Sequence, residues 1–231
     1  MFSGQCRPNN NFTIVRGTMA DIFDIFKKLE AERKAASTQP ITHLLVGLGN
    51  PGKQYITTRH NAGFLCMDAL AEKYGFTVNK AKFEALIGEA TIAGTRVLCM
   101  KPQTFMNASG IAVEAAASFY KIPVEHIIVI CDDINLPVGG LRVRGKGSDG
   151  GQRGVRSIIG MLGGKDNFPR IRVGVGSKPH PDYDLADWVL SNFSSAEMDK
   201  IKSLYPAVAE GVEYLLRGDL DKAMQVCNRK G

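Results

Sequence analysis

Short apolar runs alternate with segments of helical periodicity from Ile41 onward, and this alternation constrains the fold more than any other feature. The run Ile127–Cys131 is continuous and rich in β-branched residues, which is typical of a central strand buried on both faces. Strands interleaved with helices predict an α/β domain with a largely buried sheet. The predicted strands are His43–Gly47, Leu86–Ile92, Arg96–Met100, Ile127–Cys131, Leu141–Arg144 and Ile171–Gly176, and the predicted helices are Gly63–Tyr74, Ala108–Tyr120, Val155–Leu162, a long helix from Ser194 to about Arg217, and Asp219–Val226.

The composition is that of a globular protein with a basic surface. The 231 residues suit one large domain or two small ones, and the hydrophobic fraction of 44% is enough for a core. A formal charge of +6 favours an anionic partner, although mildly basic proteins are common and the charge alone is weak support for nucleic acid. The five cysteines form no C-x-x-C pair, which predicts reduced thiols and a cytoplasmic protein. Because no apolar run approaches the roughly 20 residues of a membrane-spanning helix, we expect no membrane partner.

The start of the chain differs from the rest, and residues 1–40 are predicted to form an N-terminal extension to a domain at 41–231. Residues 1–18 are polar, aperiodic and without acidic side chains, so we expect disorder there, with an organelle transit peptide as the alternative. Residues 19–36 have apolar side chains at helical spacing and predict a helix. Met19 is therefore a candidate translation start.

The loop after the first predicted strand gathers side chains suited to proton transfer. His60 carries an imidazole, the group best suited to proton transfer near neutral pH, and Asn50 and Asn61 bring amide groups to the same loop. The segment Gly47–Gly52 also matches the G-x-G-x-x-G pattern of dinucleotide-binding proteins. We disfavour that alternative because Pro51 lacks a backbone N–H and because further residues separate the third glycine from the next helix. The loop is interpreted as one side of an active site.

Two further polar segments lie where predicted strands end. Asn107 follows the strand Arg96–Met100 and either caps the next helix or presents its amide to a ligand, and Met106 beside it is either an apolar wall or a core residue. Asp132 and Asp133 follow the central strand, where an aspartate can orient a histidine, bind a metal ion or lie in a solvated turn. Because the sequence offers no second cluster of metal ligands, we expect no metal site.

A basic, glycine-rich stretch covers Arg142–Arg156. It lacks the G-x-x-x-x-G-K-[ST] order of a P-loop, so that kind of phosphate site is excluded. Its glycines allow close approach of the backbone to a ligand, and its arginines can bind phosphate groups in bidentate fashion. Together with Arg170 and Arg172 it is interpreted as a rim that contacts phosphates, with a flexible basic loop as the alternative.

Four segments follow one another in the order GLGNPG-x-x-Y-x-x-T-R-H-N-x-G, K-P-x-T-F-M-N-x-S-G, D-D-x-N-L-P-x-G and R-x-R-x-x-G-S-x-G-G. Together they resemble the motifs of the bacterial-type peptidyl-tRNA hydrolase family, and the resemblance covers residues 43–229. It implies a single α/β domain with a twisted mixed sheet surrounded by helices. It also implies a monomeric enzyme without metal or cofactor that binds peptidyl-tRNA and hydrolyses the ester between peptide and tRNA.

The resemblance implies catalytic roles for residues in the first three of these segments. His60 takes the position of the family's catalytic histidine, which would deprotonate a water as general base. Asp132 matches the acid that orients this histidine. Asn50 and Asn107 match the amides that hold the peptide backbone and polarise the ester carbonyl.

The resemblance also implies contacts with the two parts of the substrate. Tyr55 matches a residue that stacks near the terminal nucleotide of the tRNA, and Met106 would line the groove for the peptide. Arg144 and Arg172 match basic residues that hold the 5′ phosphate of the tRNA.

The chain departs from the family pattern at one place. Where the family commonly has G-G-H-N-G, this chain has Gln152 and Arg153 in the third and fourth positions. Arg153 cannot accept a hydrogen bond as an asparagine does, so we expect it to contact phosphate instead. The alternative to an enzyme is a non-catalytic RNA-binding relative of the same fold. Joint retention of His60 and Asp132 with Asn50 and Asn107 favours the enzyme, because a binding protein has no need of an acid–base pair.

Overall fold

One mixed β-sheet runs through the part of the chain that the structure, a computed structural model, describes, namely residues 39–228 and Lys27. The sheet has seven strands in the order β2-β3-β4-β1-β5-β7-β6. The strands are β1 (His43–Gly47), β2 (Lys80–Lys82), β3 (Ala85–Ile92), β4 (Thr95–Pro102), β5 (Ile127–Asp133), β6 (Leu141–Arg144) and β7 (Arg170–Gly174).

The centre of the sheet is parallel. β1 pairs in parallel with β4 and β5, and β5 pairs in parallel with β7, whereas β2, β3 and β6 run antiparallel to their neighbours. All residues of β5 are buried, as expected of a β-branched run covered on both faces. The carboxyl ends of β1, β4, β5 and β7 therefore meet at one edge of the sheet, where open α/β folds commonly place their binding sites.

Helices cover both faces of the sheet. Those of residues 39–228 are α1 (Ala62–Tyr74), α2 (Ser109–Tyr120), α3 (Arg153–Met161), α4 (Leu185–Leu190), α5 (Ser195–Ser203), α6 (Tyr205–Leu216) and α7 (Leu220–Cys227). On one face α1, α6 and α7 share a core with Leu45 and Ile130, and on the other α2 and α3 share a core with Leu44 and Val129. Burying each of these side chains contributes about 1.5–3 kcal/mol. The predicted α/β class with a mixed sheet surrounded by helices is confirmed.

The prediction of a single long helix from Ser194 to about Arg217 is wrong. The chain forms α5 and α6 instead, which meet at Leu204. Pro206 stands at the start of α6, where its missing N–H costs nothing, but within a continuous helix its ring would clash with the preceding turn. The predicted start of α5 is confirmed, because Ser194 and Glu197 form a reciprocal capping box.

Asn107 does not cap a helix, contrary to one of the two predictions for it. Residues Met106–Ala108 form a 3₁₀ turn, α2 begins at Ser109, and the cap position is held by Ala108 without a side-chain hydrogen bond. The extra turn moves the helix start along the chain and leaves the amide of Asn107 available for another contact. The strand β2 and the helix α4 are additions to the predicted elements.

The predicted disorder of residues 1–18 and all but Lys27 of the predicted helix 19–36 lie outside the described residues. From Pro40 onward the described chain belongs to one compact unit. Within residues 39–228, each helix is too short or too polar to cross a bilayer.

Candidate active site

A cleft of about 290 Å³ opens at the edge of the sheet where the parallel strands end. Its walls come from the loop after β1, the 3₁₀ turn after β4, the end of β5, the loop before α3, and α4. Eight of the nine predicted site residues line it, namely Asn50, Tyr55, His60, Met106, Asn107, Asp132, Arg153 and Arg172. The structure thus brings together side chains that lie far apart in the sequence.

The loop after β1 is closed by Asn61. Its Oδ1 accepts a hydrogen bond from the backbone N–H of Asn50 at 2.8 Å, and its Nδ2 donates to the backbone carbonyl of Asn50 at 3.0 Å. Gly63 lets α1 start directly against the sheet, since a Cβ there would collide with the Ile130 carbonyl oxygen and the Leu48 backbone nitrogen. The loop is therefore fixed near its start at Asn50 and near its end at Gly63, and His60 lies between these two residues in the sequence.

His60 and Asp132 form a buried pair. The Nδ1 atom of His60 lies 2.9 Å from Oδ2 of Asp132, and the two residues are 8% and 3% exposed. Because a carboxylate can only accept, Nδ1 carries a proton, and in the neutral imidazole Nε2 then has the free lone pair. Nε2 is therefore the ring nitrogen able to take a proton from a molecule in the cleft.

The side-chain amide of Asn50 uses its oxygen in a hydrogen bond within the protein and leaves its NH₂ group available to a ligand. Its Oδ1 accepts a hydrogen bond from the backbone N–H of Met106 at 2.8 Å, which joins the loop after β1 to the turn after β4. This contact fixes the orientation of the amide, so Nδ2 is the atom left to donate to a ligand. Asn107 is exposed on the adjacent turn and also lines the cleft. The two amides can therefore donate to the same region of a bound molecule.

Gln152 is a site residue that the sequence reasoning missed. Its Nε2 donates to Oδ1 of Asp132 at 2.9 Å, and its Oε1 accepts from the backbone N–H of Val155 at 2.7 Å. It is 6% exposed and occupies the cap position of α3. Two sequence signals pointed to it, namely its departure from the family's G-G-H-N-G pattern and its position three residues before the predicted helix Val155–Leu162, although glutamine is not among the preferred capping residues.

The basic side chains have unequal surroundings. Arg172 lines the cleft and pairs with buried Asp133, with 3.2 Å between Nε and Oδ2. Arg144 is exposed and lies outside the cleft, diagonally opposite Arg172 on the antiparallel pair of β6 and β7. Arg170 is buried and donates to the backbone carbonyls of Gly147 and Ser148 in the glycine-rich loop, and to that of Asp166. Arg144 thus leaves its guanidinium accessible beside the cleft, whereas Arg170 supports the loop.

The helix α4 gives the cleft an apolar wall, and a buried arginine connects this helix to the loop that carries His60. The wall is formed by Leu185, Val189 and Leu190 of α4. Arg59, next to His60, lies 3.9 Å beneath the Trp188 ring and donates to Glu197 at 3.0 Å. Burial acts to raise the pKa of Glu197, but hydrogen bonds from Ser194 and from this arginine outweigh it and hold the pKa below its ordinary value. The loop that carries His60 is thereby tied to α4.

The chain matches a known family across nearly all of the described residues. A family model described as peptidyl-tRNA hydrolase matches residues 44–231. The chain belongs to the peptidyl-tRNA hydrolase family.

Within residues 39–228 no group of three or more His, Cys, Asp or Glu side chains is placed to hold a metal ion.

Members of the family from several bacteria are close in sequence. The peptidyl-tRNA hydrolase of Caldicellulosiruptor bescii is 47% identical over 186 residues, which cover 80% of this chain and 96% of that protein. The one from Carboxydothermus hydrogenoformans is 46% identical over 188 residues, covering 81% and 99%. A crystal structure of peptidyl-tRNA hydrolase from Acinetobacter baumannii superposes with a TM-score of 0.77 at 33% identity, covering 83% of this chain and 98% of the other. The predicted family resemblance is confirmed.

Proposed function

We propose that the chain hydrolyses the ester bond between peptide and tRNA in peptidyl-tRNA, releasing free peptide and reusable tRNA, with His60 as general base on water. Family membership supports the reaction. The observation that carries the mechanism is the 2.9 Å contact between His60 and Asp132 inside the cleft. An ester is labile enough that an activated water and a few hydrogen-bond donors suffice, so the mechanism needs no metal or cofactor.

The reaction begins when Nε2 of His60 takes a proton from a water as the water oxygen attacks the ester carbonyl. Asp132 keeps the imidazole in the correct tautomer and stabilises the imidazolium that forms. Nδ2 of Asn50 and the amide of Asn107 donate to the carbonyl oxygen as it becomes negative. The C–O bond to the terminal ribose then breaks, and the imidazolium returns its proton to the ribose oxygen. The products are a peptide carboxylic acid, which then ionises, and tRNA with a free terminal hydroxyl.

The lining of the cleft suits the two parts of this substrate. Its apolar residues include Met106 and those of α4, and we assign the peptide to them. We assign the terminal nucleotide of the tRNA to Tyr55, which can stack on it, and phosphate groups to Arg153 and Arg172, which also line the cleft. Arg144 lies beyond the cleft on the same side as Arg172, where it can contact a phosphate further along the tRNA. These assignments keep the roles expected from the sequence.

The alternative, an RNA-binding relative without catalysis, is separated from the enzyme by a turnover assay. Purified chain is mixed with a large excess of N-acetylaminoacyl-tRNA, and release of the acetylated amino acid is followed. The enzyme account predicts release of many equivalents per chain. Binding of the tRNA with release no faster than in buffer would support the RNA-binding alternative and contradict the proposal.

Arg144→Ala is expected to weaken tRNA binding and to lower the slope of log affinity against log salt concentration by about one unit, the effect of losing one phosphate contact. The exposed side chain of Arg144 makes this the cleaner test, since Arg172→Ala would leave buried Asp133 without its cation. Arg217→Ala removes the same charge outside the cleft and should leave the slope unchanged. A wild-type slope for Arg144→Ala would contradict the contact.

We further propose that the chain acts as a monomer in the cytoplasm, with residues 41–231 as its catalytic domain and residues 1–40 as an extension. All nine residues to which we assign a role lie between Asn50 and Arg172, within the proposed catalytic domain. Light scattering after size-exclusion chromatography tests the monomer, and a dimer mass would contradict it. A variant lacking residues 1–40 should keep the wild-type turnover.

A further inference from the structure

We infer that Gln152 is a positioning residue, which holds the carboxylate of Asp132 in the plane that aligns His60. The inference rests on the proposed function, because it concerns the same acid–base pair. Its basis is a chain of three side chains that runs from the start of α3 to the cleft, through Gln152, Asp132 and His60.

The amide of Gln152 has a defined orientation. Its Oε1 accepts a hydrogen bond from the backbone N–H of Val155 at 2.7 Å, and only the oxygen end of the amide can do so. The other end, Nε2, must therefore be the NH₂ group, and it lies 2.9 Å from Oδ1 of Asp132. The NH₂ group that donates to Asp132 therefore belongs to a side chain whose oxygen end is held by the first turn of α3.

The surrounding atoms leave the Gln152 side chain little freedom. Its Nε2 lies 3.1 Å from Sδ of Met106. A Cβ at position 154 would lie 2.6 Å from the same sulfur and 3.0 Å from Oε1 of Gln152, so the glycine there provides the space that both side chains fill. With 6% of its surface exposed, Gln152 is held by packing as well as by its two hydrogen bonds.

Asp132 needs a second donor for a geometric reason. The terminal torsion of an aspartate is broad, so one hydrogen bond to His60 does not fix the carboxylate plane. Gln152 binds Oδ1 of Asp132 and His60 binds Oδ2. With a hydrogen bond on each oxygen, the carboxylate cannot rotate freely, so its plane and the position of Oδ2 relative to Nδ1 are fixed. Gln152 does this without adding a charge. The other charged side chains that line the cleft are Asp133, Arg153 and Arg172.

Gln152→Asn separates this role from helix capping. Asparagine is a preferred cap, so α3 keeps its first turn, but the side chain is one methylene too short to cap the helix and reach Asp132 together. We expect kcat to fall on the order of 10- to 100-fold with little change in KM, because a small misalignment of a catalytic group has effects of this size. Asp219→Ala removes the cap of α7 away from the cleft and should lower the melting temperature without changing kcat.

Gln152→Glu tests whether the side chain at position 152 reaches the pair of His60 and Asp132. The glutamate retains the cap acceptor but places a second carboxylate beside Asp132, which favours the protonated, inactive imidazolium. The acid limb of the kcat/KM profile should therefore move to higher pH, whereas Asp219→Ala should leave it in place. Wild-type kcat in Gln152→Asn together with an unmoved acid limb in Gln152→Glu would overturn the inference.

The nitrogen NMR signals of the His60 ring decide the matter even in the absence of turnover. We expect Gln152→Asn to change the Nδ1 signal, because the hydrogen bond to Asp132 is no longer held in one geometry. Unchanged ring signals would overturn the inference. A wild-type chain without hydrolytic activity, by contrast, would refute the proposed function, while changed ring signals in the variant would still establish that Gln152 orients the pair.

Discussion

Replacing His60 with alanine is expected to slow hydrolysis of N-acetylaminoacyl-tRNA by a factor on the order of 10² to 10⁴, the range for removal of a general base. Nε2 of this imidazole is the base in the proposed reaction, and its Nδ1 is engaged with Asp132 at 2.9 Å. The variant retains the donors of Asn50 and Asn107, so residual activity above that in buffer is also expected. The measurement is kcat/KM under multiple turnover.

The His60→Ala result depends on two controls. The variant leaves Oδ2 of buried Asp132 without its partner, which costs about 1–3 kcal/mol of stability, so unfolding must be measured as well. Binding of tRNA should stay close to that of the wild type, because the basic side chains are unchanged. Wild-type turnover by a folded His60→Ala protein would eliminate His60 as the base.

Asn50→Asp is expected to lower kcat on the order of 10²- to 10³-fold, as loss of one donor to a developing oxyanion does. The aspartate retains an acceptor for the backbone N–H of Met106, which Asn50 binds at 2.8 Å, and loses only the Nδ2 donor. Its negative charge also opposes charge on the carbonyl oxygen. The loss should therefore appear in kcat more than in KM, in steady-state kinetics on the same substrate.

Asn79→Asp is the matched control for Asn50→Asp. It makes the same chemical change at an exposed position outside the cleft, and we expect wild-type kinetics from it. Equal thermal stability of the two variants would show that the loss is catalytic. If Asn50→Asp turned over as fast as Asn79→Asp, Asn50 would not be a donor to the oxyanion.

Much of the fold could be predicted because its signals are local. The buried strand Ile127–Asp133 and the hairpin of β3 and β4 follow from apolar runs and turn residues that are adjacent in the sequence. The break at Leu204 was missed because the apolar residues on either side of it continue the same helical periodicity. Periodicity therefore did not distinguish one long helix from two helices, the second of which has Pro206 in its first turn, where proline is tolerated.

The site was predictable in its residue types and less so in its contacts. His60 and Asp132 could be paired from motifs, and the structure places them 2.9 Å apart. The role of Gln152 depends on its hydrogen bond to Asp132, which is distant in the sequence, and a single sequence contains no record of such a contact. The same holds for the wall formed by α4, whose apolar residues line the cleft and whose Trp188 packs on Arg59 of the loop after β1.

The glycines of the first motif illustrate how one pattern serves different physical needs. Among Gly47, Gly49 and Gly52, only Gly52 has a positive φ, of 117°. A Cβ on Gly47 would lie 2.5 Å from the Gly63 carbonyl oxygen, so this glycine serves the close approach of α1 to the sheet. In this chain the pattern serves close packing at Gly47 and a positive φ at Gly52, and a single 3₁₀ turn, Lys53–Tyr55, rather than an α-helix follows its third glycine.

The pH dependence of kcat/KM for the wild type and for His60→Ala tests the central claim most directly. If neutral His60 is the base, the wild-type value rises with pH as the imidazole loses its proton and then levels off, after subtraction of hydrolysis in buffer. The residual activity of His60→Ala should lack this step. The same step in both proteins, or a wild-type rate that falls as the imidazole loses its proton, would contradict the account.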